Sequence, residues 1–224
     1  MKKTPVLLGT LLLAFFATEV SAGSKRVEHP FRAEISAMGI RRIEVDVPPS
    51  EIEIRNGSEE SIVIEGVVKK EFGREADRAE VQQIVDAISM KIETTAARAT
   101  ITPKYEPKAQ SRWARRDSNF KITISVPKGT HVEVRQSAGE VDIDGEFGDI
   151  DVAMRVGEIR ISVPKSSVRE LFAKTKIGEV ETDLGDRVLS NEGIFPRSSH
   201  YVNEQGAHEV RASLHIGEIT IRLH

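Results

Sequence analysis

The chain of 224 residues has no cysteine, one tryptophan, two tyrosines and only 5% aromatic residues in all. Without cysteine no disulfide can staple an exported fold, so stability has to come from a packed core. With few rings available, that core has to be filled by Val and Ile, which suits narrow, stacked β structure. An excess of positive charge is also missing: 32 Lys and Arg stand against 35 Asp and Glu, a net charge of −3. That excludes a general nucleic-acid binder, which should be clearly basic.

Catalytic chemistry is equally sparse. There is no cysteine nucleophile and no Gly-x-Ser-x-Gly elbow, and Ser198-Ser199-His200 is a local coincidence of loop residues. His200, His208, His215 and His224 lie in the last quarter of the chain, but no pair has the i, i+4 spacing of a helical metal site. Carboxylates abound, yet a repetitive surface supplies them without an acid–base role. The expectation is a protein that is not an enzyme, with no catalytic residue, no metal ligand and no cofactor.

What is present begins with an export signal. Lys2 and Lys3 precede the apolar run Val6 to Ala17, and Val20-Ser21-Ala22 offers small residues for cleavage before Gly23. The run falls short of the ~20 residues that span a bilayer, and no later segment approaches that length. A retained N-terminal anchor is the alternative, because Glu19 sits close to the cleavage site. No cysteine follows the apolar run, which excludes a lipid anchor there. The expected organisation is a signal peptide at 1–22, an N-terminal extension at 23–34 and one domain at 35–224. Such a chain would work in the periplasm, at the cell surface or outside the cell.

Residues 31–72 alternate apolar and polar side chains. Ile43, Val45 and Val47 form one run, ended by Pro48-Pro49, and Ile52 and Ile54 form the next. Between 74 and 88 the period changes: Val81, Ile84, Val85 and Ile88 make one apolar stripe on a short helix that would cover the side of the β unit. Its mixed polar face speaks against a membrane-surface helix. Strands resume at Met90, and from Phe120 onward almost everything reads as strand.

A short phrase then recurs: Gly139-Glu140-Val141, Gly148-Asp149-Ile150, Gly157-Glu158-Ile159, Gly178-Glu179-Val180 and Gly217-Glu218-Ile219. Its glycines are 9, 9, 21 and 39 residues apart. Aligned on the glycine, the positions five, three and one before it and two and four after it are mainly aliphatic or small. They are expected to point inward, including Ala138, Val156, Ile177 and Ile216 just before the glycine. Each copy reads as a strand, a glycine–acid corner and another strand, with copies stacked in chain order. Gly148 would occupy an opposite corner, and the last gap would hold one degenerate copy between Leu184 and Gly206. The architecture expected is all-β: a right-handed single-stranded β-solenoid, clearest over 130–224. An antiparallel sandwich is the competing reading, although it gives no reason for one corner phrase to repeat.

The runs Val126-Pro127-Lys128-Gly129, Ser137-Ala138-Gly139-Glu140-Val141-Asp142-Ile143 and Leu214-His215-Ile216-Gly217-Glu218-Ile219-Thr220-Ile221 resemble the exported bacterial putative-adhesin domain family, whose function is unknown. The resemblance covers about 35–224, most strongly 120–224. It implies a right-handed β-solenoid on the cell surface or in the envelope, and it carries over no catalytic or ligand residue. The stretch 185–208 departs from the pattern.

Two groups of residues invite a functional reading. Stacked copies would align Glu140, Glu158 and Glu179 in a column, with Glu218 further along and Asp149 on another corner. Such a column needs an offset, either basic neighbours (Arg135, Arg155, Lys174 and Lys176) or a hard cation such as Ca²⁺. The loop 103–118 places Lys104, Lys108, Arg112, Arg115 and Arg116 around Tyr105 and Trp113, which suits an anionic glycan or surrounds an exposed loop whose tryptophan packs on the fold. The function expected is adhesin-like binding or scaffolding with an envelope glycan or protein as partner. The alternatives are a polysaccharide-active enzyme and a regulatory module that contacts an envelope-stress sensor.

Overall fold

A computed structural model describes residues 26–72, 77–109, 118–186, 188–191 and 196–224; the signal-like segment lies outside them. Strands β1 (Arg26–Ser36), β2 (Arg42–Asp46), β3 (Ser50–Asn56) and β4 (Ser61–Glu71) precede helix α1 (Arg78–Asp86). Strands β5 (Ile88–Thr95), β6 (Arg98–Tyr105) and β7 (Ser118–Val126) follow. Then come β8 (His131–Asp144), β9 (Ile150–Val163), β10 (Val168–Asp183), β11 (Val188–Asn191), β12 (Arg197–Val202) and β13 (His208–Leu223). The described chain is predominantly β, with α1 and a 3₁₀ turn at Pro107–Ala109.

Strands β8, β9, β13 and β10 are long, and each carries the repeated phrase at its middle. They pair in parallel with no register offset, so Gly139 lies beside Gly157, Gly157 beside Gly217 and Gly217 beside Gly178. Their first halves continue into one arm of sheet through β2, β6 and β5, and their second halves into another arm through β3, β7, β4 and β1. The glycine column is the hinge line between the arms. β2 and β3 meet β8 in one common register, so 42–56 is a further layer of the same kind, with Pro48-Pro49 at the positions of Ser137 and Ala138. The proline pair separates β2 from β3, as expected, and forms that layer's corner.

The core fills the angle between the arms. Column by column it holds Ile101, Val45, Val134, Val152, Ala212 and Ala173 on the first arm. On the second arm it holds Ile122, Ile52, Val141, Ile159, Ile219 and Val180. All of these are at most 2% exposed. Each fully buried Val or Ile contributes roughly 1.5–3 kcal/mol of transfer free energy, and stacking like on like leaves few voids.

Four expectations are corrected. Layers do not follow chain order, because β13 inserts between β9 and β10. Where a degenerate copy was expected after Leu184, the described residues supply β11 and β12, both antiparallel to β10. Residues 26–34, expected as an extension, form most of β1, an edge strand paired with β4. The helix is shorter than 74–88, because Ile88 leaves its stripe to pair with Tyr105 at the start of β5. α1 buries Val81, Ile84 and Val85, and His29 Nδ1 lies 3.0 Å from Asp86 Oδ1, tying the helix to β1.

The fourth correction concerns the column before the glycine. Val156, Ile216 and Ile177 are 47%, 42% and 48% exposed rather than inward. Buried positions lie three before the glycine (Met154, Leu214, Thr175) and two after it (Ile159, Ile219, Val180). That interval is an odd number of residues, so strict alternation cannot hold across it and the inward phase resets at the corner.

Candidate functional site

The corner is built on backbone proximity. Gly139, Gly157, Gly217 and Gly178 hold φ between 127° and 135°. A Cβ built on any of them would overlap a carbonyl oxygen of the adjacent layer: that of Ser50, Gly139, Gly157 and Gly217 respectively. Only glycine tolerates both the conformation and the approach. At the layer of β2 and β3 the position belongs to Ser50, which sits beneath Gly139. Its Oγ lies 2.8 Å from the Pro48 carbonyl and 2.9 Å from Gln136 Oε1, inside the protein.

With no side chain at the hinge, the flanking residues form an open trough. The glycine backbones are its floor, Ala138 and Val156 its apolar wall, and Glu140, Glu158, Glu218 and Glu179 its acidic wall; Ile216 and Ile177 continue the exposed aliphatic row beside it. The acids do stack, in the order 140, 158, 218, 179, and Glu51 extends the row on β3. The offset comes from a residue outside the expected set. Arg160, two residues further along the outer face of β9, pairs with Glu158 and lies 3.6 Å from Glu140 on β8. Thr220 Oγ1 donates to Glu218 Oε1 at 3.2 Å. Arg135, expected to serve the corner, instead makes a two-point contact with Asp151 at 2.8 and 3.2 Å and lies 3.1 Å from Glu133. Among the described residues, no group of His, Asp and Glu is arranged to hold a metal ion.

The two outer faces differ in charge. On the second arm, β3, β8, β9, β13 and β10 present three outward rows with ten acids and three arginines (Arg55, Arg160 and Arg222). Crowding is visible at Asp142: burial raises its pKa above the ordinary carboxylate value, Arg160 pulls it down, and Asp144, Glu53 and Glu158 push it up. On the first arm beside the corner, the row two before the glycine reads Ser137, Arg155, His215 and Lys176, all exposed.

Gly148 and Asp149 do not join this column. They lie in the turn between β8 and β9, where the Gly148 N–H donates to the Thr130 carbonyl at 3.1 Å. Asp149 Oδ1 accepts the Glu209 N–H at 3.0 Å, and the Asp149 N–H donates to His131 Nδ1 at 3.0 Å. The phrase therefore marks two different kinds of turn.

The basic–aromatic cluster divides. Lys104 and Tyr105 end strand β6 instead of lying in a loop. Lys104 is exposed and lies 2.6 Å from Glu106, whereas Tyr105 packs partly buried against the core. Lys108 falls in the 3₁₀ turn, and Arg112, Trp113, Arg115 and Arg116 lie outside the described residues. Sequence reasoning missed the exposed aliphatic row and Arg160. The odd interval between the inward columns was the available signal for the row. Arg160 stands two residues after Glu158 on β9, and its reach to Glu140 follows from the pairing of β8 with β9.

No family profile and no curated protein matches the chain. Among solved structures, it is similar to a putative cell adhesion protein from Clostridium sporogenes, at 14% identity over 88% of this chain and 100% of that one, with a TM-score of 0.51. A putative adhesin from Bacteroides fragilis aligns at 8% identity over 86% of this chain and 97% of that one, with a TM-score of 0.32. The first likeness is one of fold alone, and the second supports no argument. Among the described residues, no helix is long and apolar enough to cross a membrane.

Proposed function

We propose that the chain is an exported, non-enzymatic binding module of the bacterial envelope that holds an extended glycan or protein partner on its laddered faces. The observation that carries this reading is the zero-offset parallel stacking of β8, β9, β13 and β10. It repeats the same side-chain chemistry at steps of about 4.8 Å, which makes linear rows of groups instead of an enclosed substrate pocket. In this reading the layers are turns of an open β-solenoid, wound in the right-handed sense that parallel crossovers adopt, and the putative-adhesin resemblance is one of family. The leader at 1–22 supports export.

The test combines fractionation with binding. The mature chain is expected outside the cytoplasm and in the pellet with insoluble envelope material, with less pelleting after charge reversal on the second arm (Glu53→Lys with Asp144→Lys). Recovery in the cytoplasm, or no pelleting at any ionic strength, overturns the reading. Release of reducing sugars from uronate polymers would replace it with an enzyme.

A further inference from the structure

We propose that the glycine corner is a self-association surface, on which a second copy of this chain docks about a two-fold axis running parallel to the stacked rows. This goes beyond the binding reading above, and its readout, mass in solution, needs no envelope ligand.

Four rows lie side by side across the corner. In the three layers β9, β13 and β10 they read base, aliphatic, glycine, glutamate: Arg155, His215 and Lys176 form the first row, and Glu158, Glu218 and Glu179 the last. The aliphatic row is more than 40% exposed at Val156, Ile216 and Ile177, three large apolar side chains in adjacent layers. Beside it the glycine row is a trough that no side chain of its own can fill. A row of knobs next to an empty groove of the same pitch is self-complementary.

The symmetry decides the arrangement. A two-fold axis along the rows, between the aliphatics and the glycines, exchanges the first row with the fourth and the second with the third. The aliphatics of each copy then lie over the trough of the other, and the layer register is kept. Arg155 faces the second copy's Glu158, His215 its Glu218 and Lys176 its Glu179, so every contact occurs twice. A two-fold axis across the rows would set glutamate on glutamate, which is strongly disfavoured. Charge complementarity therefore selects one of the two isologous packings.

Sedimentation velocity of the mature chain up to roughly 100 µM is the experiment, a range in which even a dimer with Kd in the tens of micromolar assembles. Two charge-swapped chains are compared with it: Glu158→Lys with Glu179→Lys, and Arg155→Glu with Lys176→Glu. Each swap puts like charges opposite each other in its own homodimer, and each is expected to weaken self-association at least about tenfold. Mixed together, the two swapped chains restore opposite charges at both ends and are expected to form a heterodimer. That rescue also shows that both chains are folded. A wild-type chain that stays monomeric, a dimer indifferent to both swaps, or a mixture that stays monomeric overturns the proposal.

Discussion

The layer of β2 and β3 and the layers of β8, β9, β13 and β10 perform the same task with different corners. The former turns at Pro48-Pro49-Ser50 and the latter at glycine, although all share one register. The difference follows from what lies beneath each corner. Each glycine has a carbonyl of the adjacent layer where its Cβ would be. Beneath Ser50 on the second arm runs β7, paired through Phe120, and Ser50 turns with ordinary negative φ. Glycine is thus required wherever a corner stacks closely on the corner beneath it, and the layer that starts the column is free of the requirement.

The sharpest way to break that comparison is Gly157→Ala. The substitution combines a left-handed φ of 135° with overlap on the Gly139 carbonyl, and we expect a loss of about 4 kcal/mol or failure to fold, read by urea denaturation. Pro49→Ala, one residue before the equivalent point Ser50 of the first layer, should cost no more than about 1 kcal/mol. Ser50→Ala comes next. It strips Gln136 Oε1 of a buried partner and should cost about 1–2 kcal/mol, whereas Gln136→Met, matching Met154 one layer on, should be close to neutral.

Arg160→Ala leaves Glu140 and Glu158 without their shared cation. Because the pair is largely exposed, the expected loss is below about 1 kcal/mol, and it should shrink as salt rises. The smallest effect concerns Asp142. Its pKa is raised in the fold, so the folded chain holds the proton more tightly than the unfolded one. Its contribution is favourable in acid and is lost as pH rises through the raised value. Asp142→Asn should therefore increase Tm slightly at pH 7, and the gain should vanish as pH falls toward the unfolded carboxylate value.

Much of this was legible in the chain. The alternation at Ile43, Val45 and Val47, the stripe at Val81, Ile84 and Val85, and the stacking of the glycine phrases all reappear in the structure. Pro48-Pro49 ends one strand before the next begins, as read from the chain, but only the common pairing with β8 shows that the two strands make one layer. The outward turn of Val156, Ile177 and Ile216 was hidden because aliphatic identity was equated with burial. A half-exposed aliphatic is common on protein surfaces. The acid column was foreseen, but its neighbours were assigned in chain order, which put Glu179 where Glu218 stands.

By itself the sequence determined the local grammar: where strands alternate, where a short helix interrupts them and which corners must be glycine. Those properties depend on residues close along the chain and on identical units meeting identical units. Only the tertiary structure decided that β13 slips between β9 and β10, that Arg160 serves two glutamates and that an aliphatic row faces solvent beside an empty trough. The physical reason is that every copy presents nearly the same edge. Local pattern cannot rank one neighbour over another, so the choice falls to connection lengths and to the fit of the whole stack.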